Sequence, residues 1–248
     1  RRMIVTIIAV SFAPMILVIA ILLVQLNASY HEKTYAHLKE MVQKHTQNID
    51  TFLREKLANI RFLADSSGFD NLAEKYFLQV KLQQLQSEYG DVFGDLGLVD
   101  ETGEQLAYAG PFELNNVRYA EAEWFGYAMA HDFYISDVFM GLRGSPHFIV
   151  TVRQQRNERY YILRATIDFR AFNNLVENLR VGKTGYAFII NRTGVFQPRP
   201  PFDEAPCESC YGFFIEAMKE SGMLVRTFVR ADTSGMENLY AVSTLKNG

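Results

Sequence analysis

MIVTIIAVSFAPMILVIAILLVQL, residues Met3–Leu26, carries no formal charge from end to end. At helical rise it is long enough to cross a hydrocarbon core of roughly 30 Å. It predicts a transmembrane helix, in which neighbouring groups can satisfy the carbonyl freed by Pro14. Arg1 and Arg2 stand just before it, and the bias of basic residues toward the cytoplasmic side places the N-terminus inside and everything after Leu26 outside. A cleaved signal peptide is the competing reading. The apolar stretch is longer than a signal core, however, and a helical pattern continues directly out of it.

That pattern covers about residues 30–64. Tyr35, Leu38, Val42, Ile49, Phe52, Leu53, Leu57, Ile60 and Leu63 are mostly three, four or seven apart, the spacing of one amphipathic helix face. At 1.5 Å per residue the helix would run about 50 Å, a spine rising out of the bilayer. Asp65-Ser66-Ser67-Gly68 should end it, and a second helix is expected over about residues 71–89.

Beyond residue 90 the period shifts to that of strands. Residues 92–99 and 105–109 flank Asp100-Glu101-Thr102-Gly103, whose turn chemistry predicts a β-hairpin. A short helix is expected near 121–130, a strand over 134–140, and strands over 146–154 and 160–168 joined by the charged turn Arg156-Asn157-Glu158-Arg159. A helix over about 170–179 closes this unit. A smaller unit repeats the style, with a strand over 185–191, a turn at Arg192-Thr193-Gly194, a proline-rich loop, a helix over about 211–220, and strands over 223–229 and 239–245. Two antiparallel sheets, each with helices on one side, stacked along one long helix, is the α+β architecture these elements imply. The expected divisions are 1–29 for the cytoplasmic end and membrane helix, 30–90 for the two helices, 91–180 for a membrane-distal module and 181–248 for a membrane-proximal one.

Charge and motifs narrow the function. Removing Arg1 and Arg2 from the 25 basic residues leaves 23 against 28 acidic ones, a formal charge of −5 for the outer part. No basic run is present to neutralise phosphates, which sets nucleic acid aside as a partner. Cys207 and Cys210, the two cysteines, are spaced C-x-x-C. The spacing is open to a disulfide, a redox pair or half a metal site. In an oxidising exterior a small disulfide bracing a loop leads, and a membrane-tethered thiol-disulfide protein is the alternative.

Enzyme signatures fail on inspection. Gly182-Lys183-Thr184 resembles the end of a phosphate-binding loop, but Glu177 stands where that loop needs glycine. Ser145 precedes Pro146, which suits no nucleophile elbow. His31, His37, His45, His131 and His147 are not spaced to gather ligands, so no metal, no cofactor and no catalytic residue is expected.

Three stretches carry a family likeness: Trp124-Phe125, the run Tyr134-Ile-Ser-Asp-Val-Phe-Met-Gly-Leu-Arg-Gly-Ser-Pro-His-Phe148, and Val181-Gly-Lys-Thr-Gly-Tyr-Ala-Phe-Ile-Ile-Asn191. With the order of a transmembrane helix, a long helix and two PAS-like sheets, they resemble the double Cache sensor domains of bacterial histidine kinases and chemoreceptors, over about residues 3–248. The resemblance implies two PAS-like antiparallel modules in tandem and a small-molecule ligand on the distal one. It implies Trp124, Phe125, Tyr134, Asp137, Arg143, His147 and Asp168 as candidate ligand-binding residues. In the amino-acid-binding subfamily the pattern is Tyr, four residues, Arg, one residue, Trp-Tyr, two residues, Ala, then a later Tyr and Asp. Here Trp124 and Ala128 match, Phe125 stands for the Tyr of the pair, and Tyr134 and Asp168 can serve as the later two. Val117 and Ala122 fall where the leading Tyr and the Arg should be, so the carboxylate clamp is missing. A carboxylate in a closed pocket needs a charged or bidentate donor, which makes an ordinary amino acid doubtful and leaves an anion or amine open through Arg143 and His147.

The likeness further implies a homodimer in the bacterial inner membrane, with residues after about 29 in the periplasm or outside. Because the chain begins on Arg1 and stops at Gly248, a second membrane helix and an output module are expected outside it, a histidine kinase first and a chemoreceptor or cyclic-dinucleotide enzyme next.

Overall fold

The computed structural model describes residues 2–114, 117–141, 144–170, 180–181, 185–197, 212, 214–215, 225–231 and 235–246. Helix α1 (Arg2–Leu72) dominates it. From Phe12 onward it is long and apolar enough to cross a membrane, and its apolar window buries nothing against the rest of the protein. Past residue 48 the helix acquires a buried stripe of Ile49, Leu53, Leu57, Ile60, Leu63 and Ala64, as the three-and-four spacing predicts. Gly68 leaves helical geometry at φ 70°, ψ 158°, so the rod breaks where the Asp65–Gly68 cluster predicted an end. One further turn then carries Leu72 into the core, where it is fully buried. Helix α2 (Lys75–Tyr89) folds back and contributes Leu78 and Leu82.

The strands β1 (Phe93–Asp100), β2 (Gln105–Ala109), β3 (Phe133–Ile135), β4 (His147–Arg156) and β5 (Arg159–Asp168) form one antiparallel sheet in the order β2-β1-β5-β4-β3. Period-two alternation sorts its faces. Leu96, Leu98, Val150, Leu163, Ala165 and Ile167 pack on α1 and α2. Val99, Ile149 and Ile162 point the other way, under α3 (Glu123–Ala130) and its Trp124, Phe125 and Ala128. A bulge between Phe93 and Asp95 flips the alternation, so that Phe93 joins the helix face while Asp95 joins the α3 face.

The turns follow their side chains. Asp100 Oδ1 accepts from Thr102 N, Thr102 Oγ1 and Glu104 N, closing the first hairpin. Gly103 has φ 83°, and a Cβ there would lie 2.5 Å from Ala120 N, so glycine is required twice over. Asn191 repeats the device, its Oδ1 accepting from Thr193 N, Thr193 Oγ1 and Val195 N. Between β4 and β5, Asn157 (φ 48°) and Glu158 (φ 65°) make a two-residue turn with both φ positive. Glu158→Gly should relieve that strain and raise stability by about 0.5–1 kcal/mol, read as a higher urea midpoint at unchanged slope.

The strand expected over 134–140 is shorter than its pattern. Ser136 takes over the ladder, its N donating to Ile149 O while its Oγ accepts from Ile149 N, and Asp137 and Val138 turn away to other partners. Pairing returns as a single bridge between Phe139 and His147. The second unit contains β6 (Arg180–Val181) with β7 (Gly185–Tyr186), and β8 (Val225–Ala231) with β9 (Glu237–Ser243), separate from the five-stranded sheet. Buried Phe196 and Phe214, with Phe188, Phe228 and Tyr240 beside them, form its aromatic core. Lys246 N donates to Asp50 Oδ1, tying this unit to α1 as well. The helix expected over 170–179 lies outside the described residues, as does most of that over 211–220.

Candidate functional site

On β1, β4 and β5 the α3 face holds polar groups in line with apolar ones. Cross-strand register puts Gly97 opposite Arg164, Arg164 opposite Thr151, and His147 opposite Asp168. Arg164 is 3 % exposed and Asp95 is fully buried. Arg164 Nη1 donates to Asp95 Oδ1 at 3.0 Å and to Thr166 Oγ1 at 3.2 Å, and Thr166 Oγ1 donates to Asp95 Oδ1 at 2.8 Å. Arg164 Nη2 donates to Gln105 Oε1 at 3.1 Å and to the Tyr119 hydroxyl at 2.8 Å, while that hydroxyl donates to Gln105 Oε1. The guanidinium lies against β1 where Gly97 has no side chain, since a Cβ there would sit 3.0 Å from Arg164 Nε. The rings of Tyr119 and Tyr108 flank it, with centroids 4.9 and 5.9 Å from Cζ. Burial pushes the pKa of the Tyr108 hydroxyl up.

The site residues expected from the sequence fall in different places. Trp124 and Phe125 stand edge-to-face at 5.9 Å, and Trp124 leans on Tyr119 at 5.2 Å. Tyr134 stacks on Tyr127 of α3 and is packed against the same cluster, its hydroxyl pKa raised by burial and by nearby Asp137. Trp124 is 7 % exposed and fills the core of this face. Arg153 holds the end of α3 over the sheet, its Nη1 donating to Met129 O.

His147 and Asp168 lie further along the same face. The His147 ring packs on Phe139 at 4.5 Å, and its Nδ1 stands 2.8 Å from Ser145 O, which requires that nitrogen to carry the proton. Asp168 accepts two hydrogen bonds from the Arg170 side chain and one from its backbone N. Asp137 points toward the second unit instead, accepting from Asn191 Nδ2 at 2.8 Å, next to a bond from Val138 N to Gln197 Oε1. Arg143, Cys207 and Cys210 lie outside the described residues.

Sequence reasoning missed Asp95, Gln105, Tyr119, Arg164 and Thr166. A usable signal was present, because Asp95 and Arg164 each interrupt an apolar strand in register with residues that face α3. Lys56 was missed too. It falls on the apolar stripe of α1, is buried, and lies 3.8 Å over the Tyr89 ring, with its Nζ 3.0 Å from Glu55 Oε1. Among the described residues no three His, Cys, Asp or Glu side chains gather as a metal site.

This arrangement is the fold of the extracellular ligand-binding domains of chemoreceptors and histidine kinases. The structure is similar to the sensory domain of the Campylobacter jejuni chemoreceptor Tlp3 with isoleucine bound, at a TM-score of 0.62 and 12 % identity, covering 86 % of this chain and 88 % of that one. It is similar to the extracellular domain of the histidine kinase rpHK1S-Z16, at a TM-score of 0.60 and 14 % identity over 91 % and 92 % of the two chains. The ligand-binding domain of the Pseudomonas aeruginosa amino-acid chemoreceptor PctB with L-Gln matches at a TM-score of 0.52 and 17 % identity over 67 % and 69 %. At these identities the likeness is one of fold, and at that level the resemblance to double Cache domains holds. No family model and no curated protein matches the sequence.

Proposed function

We propose that this chain is the extracytoplasmic sensing part of a membrane-anchored receptor, binding a small molecule on the α3 face of the five-stranded sheet. The supporting observation is the buried charged and hydroxyl network of Arg164, Asp95, Thr166 and Tyr119 beside the Trp124 cluster. On the opposite face of the sheet the buried side chains of β1, β4 and β5 that pack on α1 and α2 are hydrophobic ones such as Leu96, Leu98, Val150, Leu163 and Ile167. The similar domains of PctB and Tlp3 hold amino acids, which makes ligands of that size a fitting class. On this reading Trp124, Phe125, Tyr134, His147 and Asp168 frame the ligand. Asp137 belongs to its lower edge, where it also joins the second unit through Asn191, and Arg143 is kept as a candidate on the sequence resemblance alone. The α1 rod carries the signal to the inner membrane, a second copy pairs along it, and a histidine kinase is the preferred output, with a chemoreceptor next.

The test is thermal unfolding of the full chain in detergent micelles against amino acids, amines, organic acids and purines. A ligand at about a hundred times its dissociation constant should add about 2.7 kcal/mol, a rise of several degrees in Tm. No rise with any compound would leave a purely structural ectodomain as the better reading.

A further inference from the structure

A guanidinium reaches the α3 face of the sheet from β5. The two edges of Arg164 are treated differently. Nη1 is engaged by the charged carboxylate of Asp95 and by Thr166. Nη2 meets two neutral acceptors, Gln105 Oε1 and the Tyr119 hydroxyl, and Nε, though buried, has no hydrogen-bond partner. Nε and Nη2 form the side-on edge of a guanidinium, the pair of parallel N–H groups that a planar carboxylate meets with two bonds. Both neutral acceptors are half-buried, and Tyr119 lies between β2 and α3 with its ring on Trp124, so it can leave without disturbing the Asp95 side.

We infer that Arg164 is the anchor for the ligand's anionic group, a carboxylate docking side-on at Nε and Nη2 in place of the Tyr119 hydroxyl and the Gln105 amide oxygen. The inference rests on ligand binding at this face. Asp95 keeps the far edge of the guanidinium, so Arg164 stays oriented while its near edge exchanges partners. Displacing Tyr119 also shifts the ring against which Trp124 rests, which ties occupancy of the anchor to the position of α3.

The experiment measures binding to the full chain in micelles for L-amino acids and 2-hydroxy and dicarboxylic acids, each beside its own amide, with inorganic phosphate and sulfate included. Carboxylates should bind and their amides should not. The paired variant Asp95→Asn/Arg164→Gln removes the anchor without leaving a lone buried charge, and should weaken the best carboxylate at least about tenfold. Tyr119→Phe removes the competing oxygen and should tighten it by about threefold, with amides unaffected. If an amide binds as well as its acid, if phosphate or sulfate alone binds, or if the folded paired variant binds like the parent, Arg164 is not a carboxylate anchor, while the sensing role stands. Silence from the wider panel of amines and purines as well would count against both.

Discussion

Asp95→Asn should lower the stability of the domain by about 3–5 kcal/mol, measured as a fall in the urea midpoint. The side chain keeps its shape, so packing is not the cause. The substitution leaves the Arg164 guanidinium in a site that is 3 % exposed, with its one charged partner on this face converted to an amide. Thr166 loses a charged acceptor at the same time. The paired variant Asp95→Asn/Arg164→Gln should cost less than Asp95→Asn alone, because the buried charge leaves with its counter-charge. A single variant as stable as the parent would mean that water reaches Arg164, and the account of this face as a closed polar network would fall.

Phe93→Ala should cost about as much, 3–5 kcal/mol by the usual range of about that size for a buried aromatic. Phe93 is fully buried, stands edge-to-face with Tyr89 at 5.8 Å, and lies 5.7 Å beneath the Lys56 ammonium. It sits where β1 leaves α2, at the bulge that turns Asp95 to the α3 face. The variant should therefore show a second effect, a weaker hold on any ligand of that face, through a register freed to slip rather than through lost ligand contact. Calorimetric binding on the folded fraction separates the two. Unchanged affinity beside reduced stability would show that the bulge holds without its anchor.

Much of the fold was legible because it follows from local rules. The three-and-four spacing of Ile49, Leu53, Leu57 and Ile60 had to give a one-sided helix, and that side is buried. Asp100-x-Thr102-Gly103 and Asn191-x-Thr193-Gly194 close turns with their own side chains, and both did so where expected. The strand predicted over 134–140 fell short because Ser136 offers its own hydroxyl to the ladder, a competition that hydrophobic pattern does not register. The site was read less well. Trp124, Phe125 and Tyr134 share one packed cluster, while Asp137 spends its carboxylate on Asn191, fifty-four positions away. Arg164 and Asp95 sat in plain view as charges inside apolar strands, and their meaning depended on being on adjacent strands.

The sequence by itself determined what each segment would be: an uncharged span long enough for a bilayer, an amphipathic rod, and alternating strands punctuated by Asx turns. Period, charge and turn chemistry act over a few residues and need no partner to be read. Only the tertiary structure decided which polar groups meet, because that rests on the strand order, which sets β5 between β1 and β4, and on a bulge at Phe93–Asp95 that reverses which face a carboxylate points to. A shift of one residue in that register would put Asp95 on the α1 face and leave Arg164 without its counter-charge, so long-range pairing, and not composition, places the charged centre of the sheet.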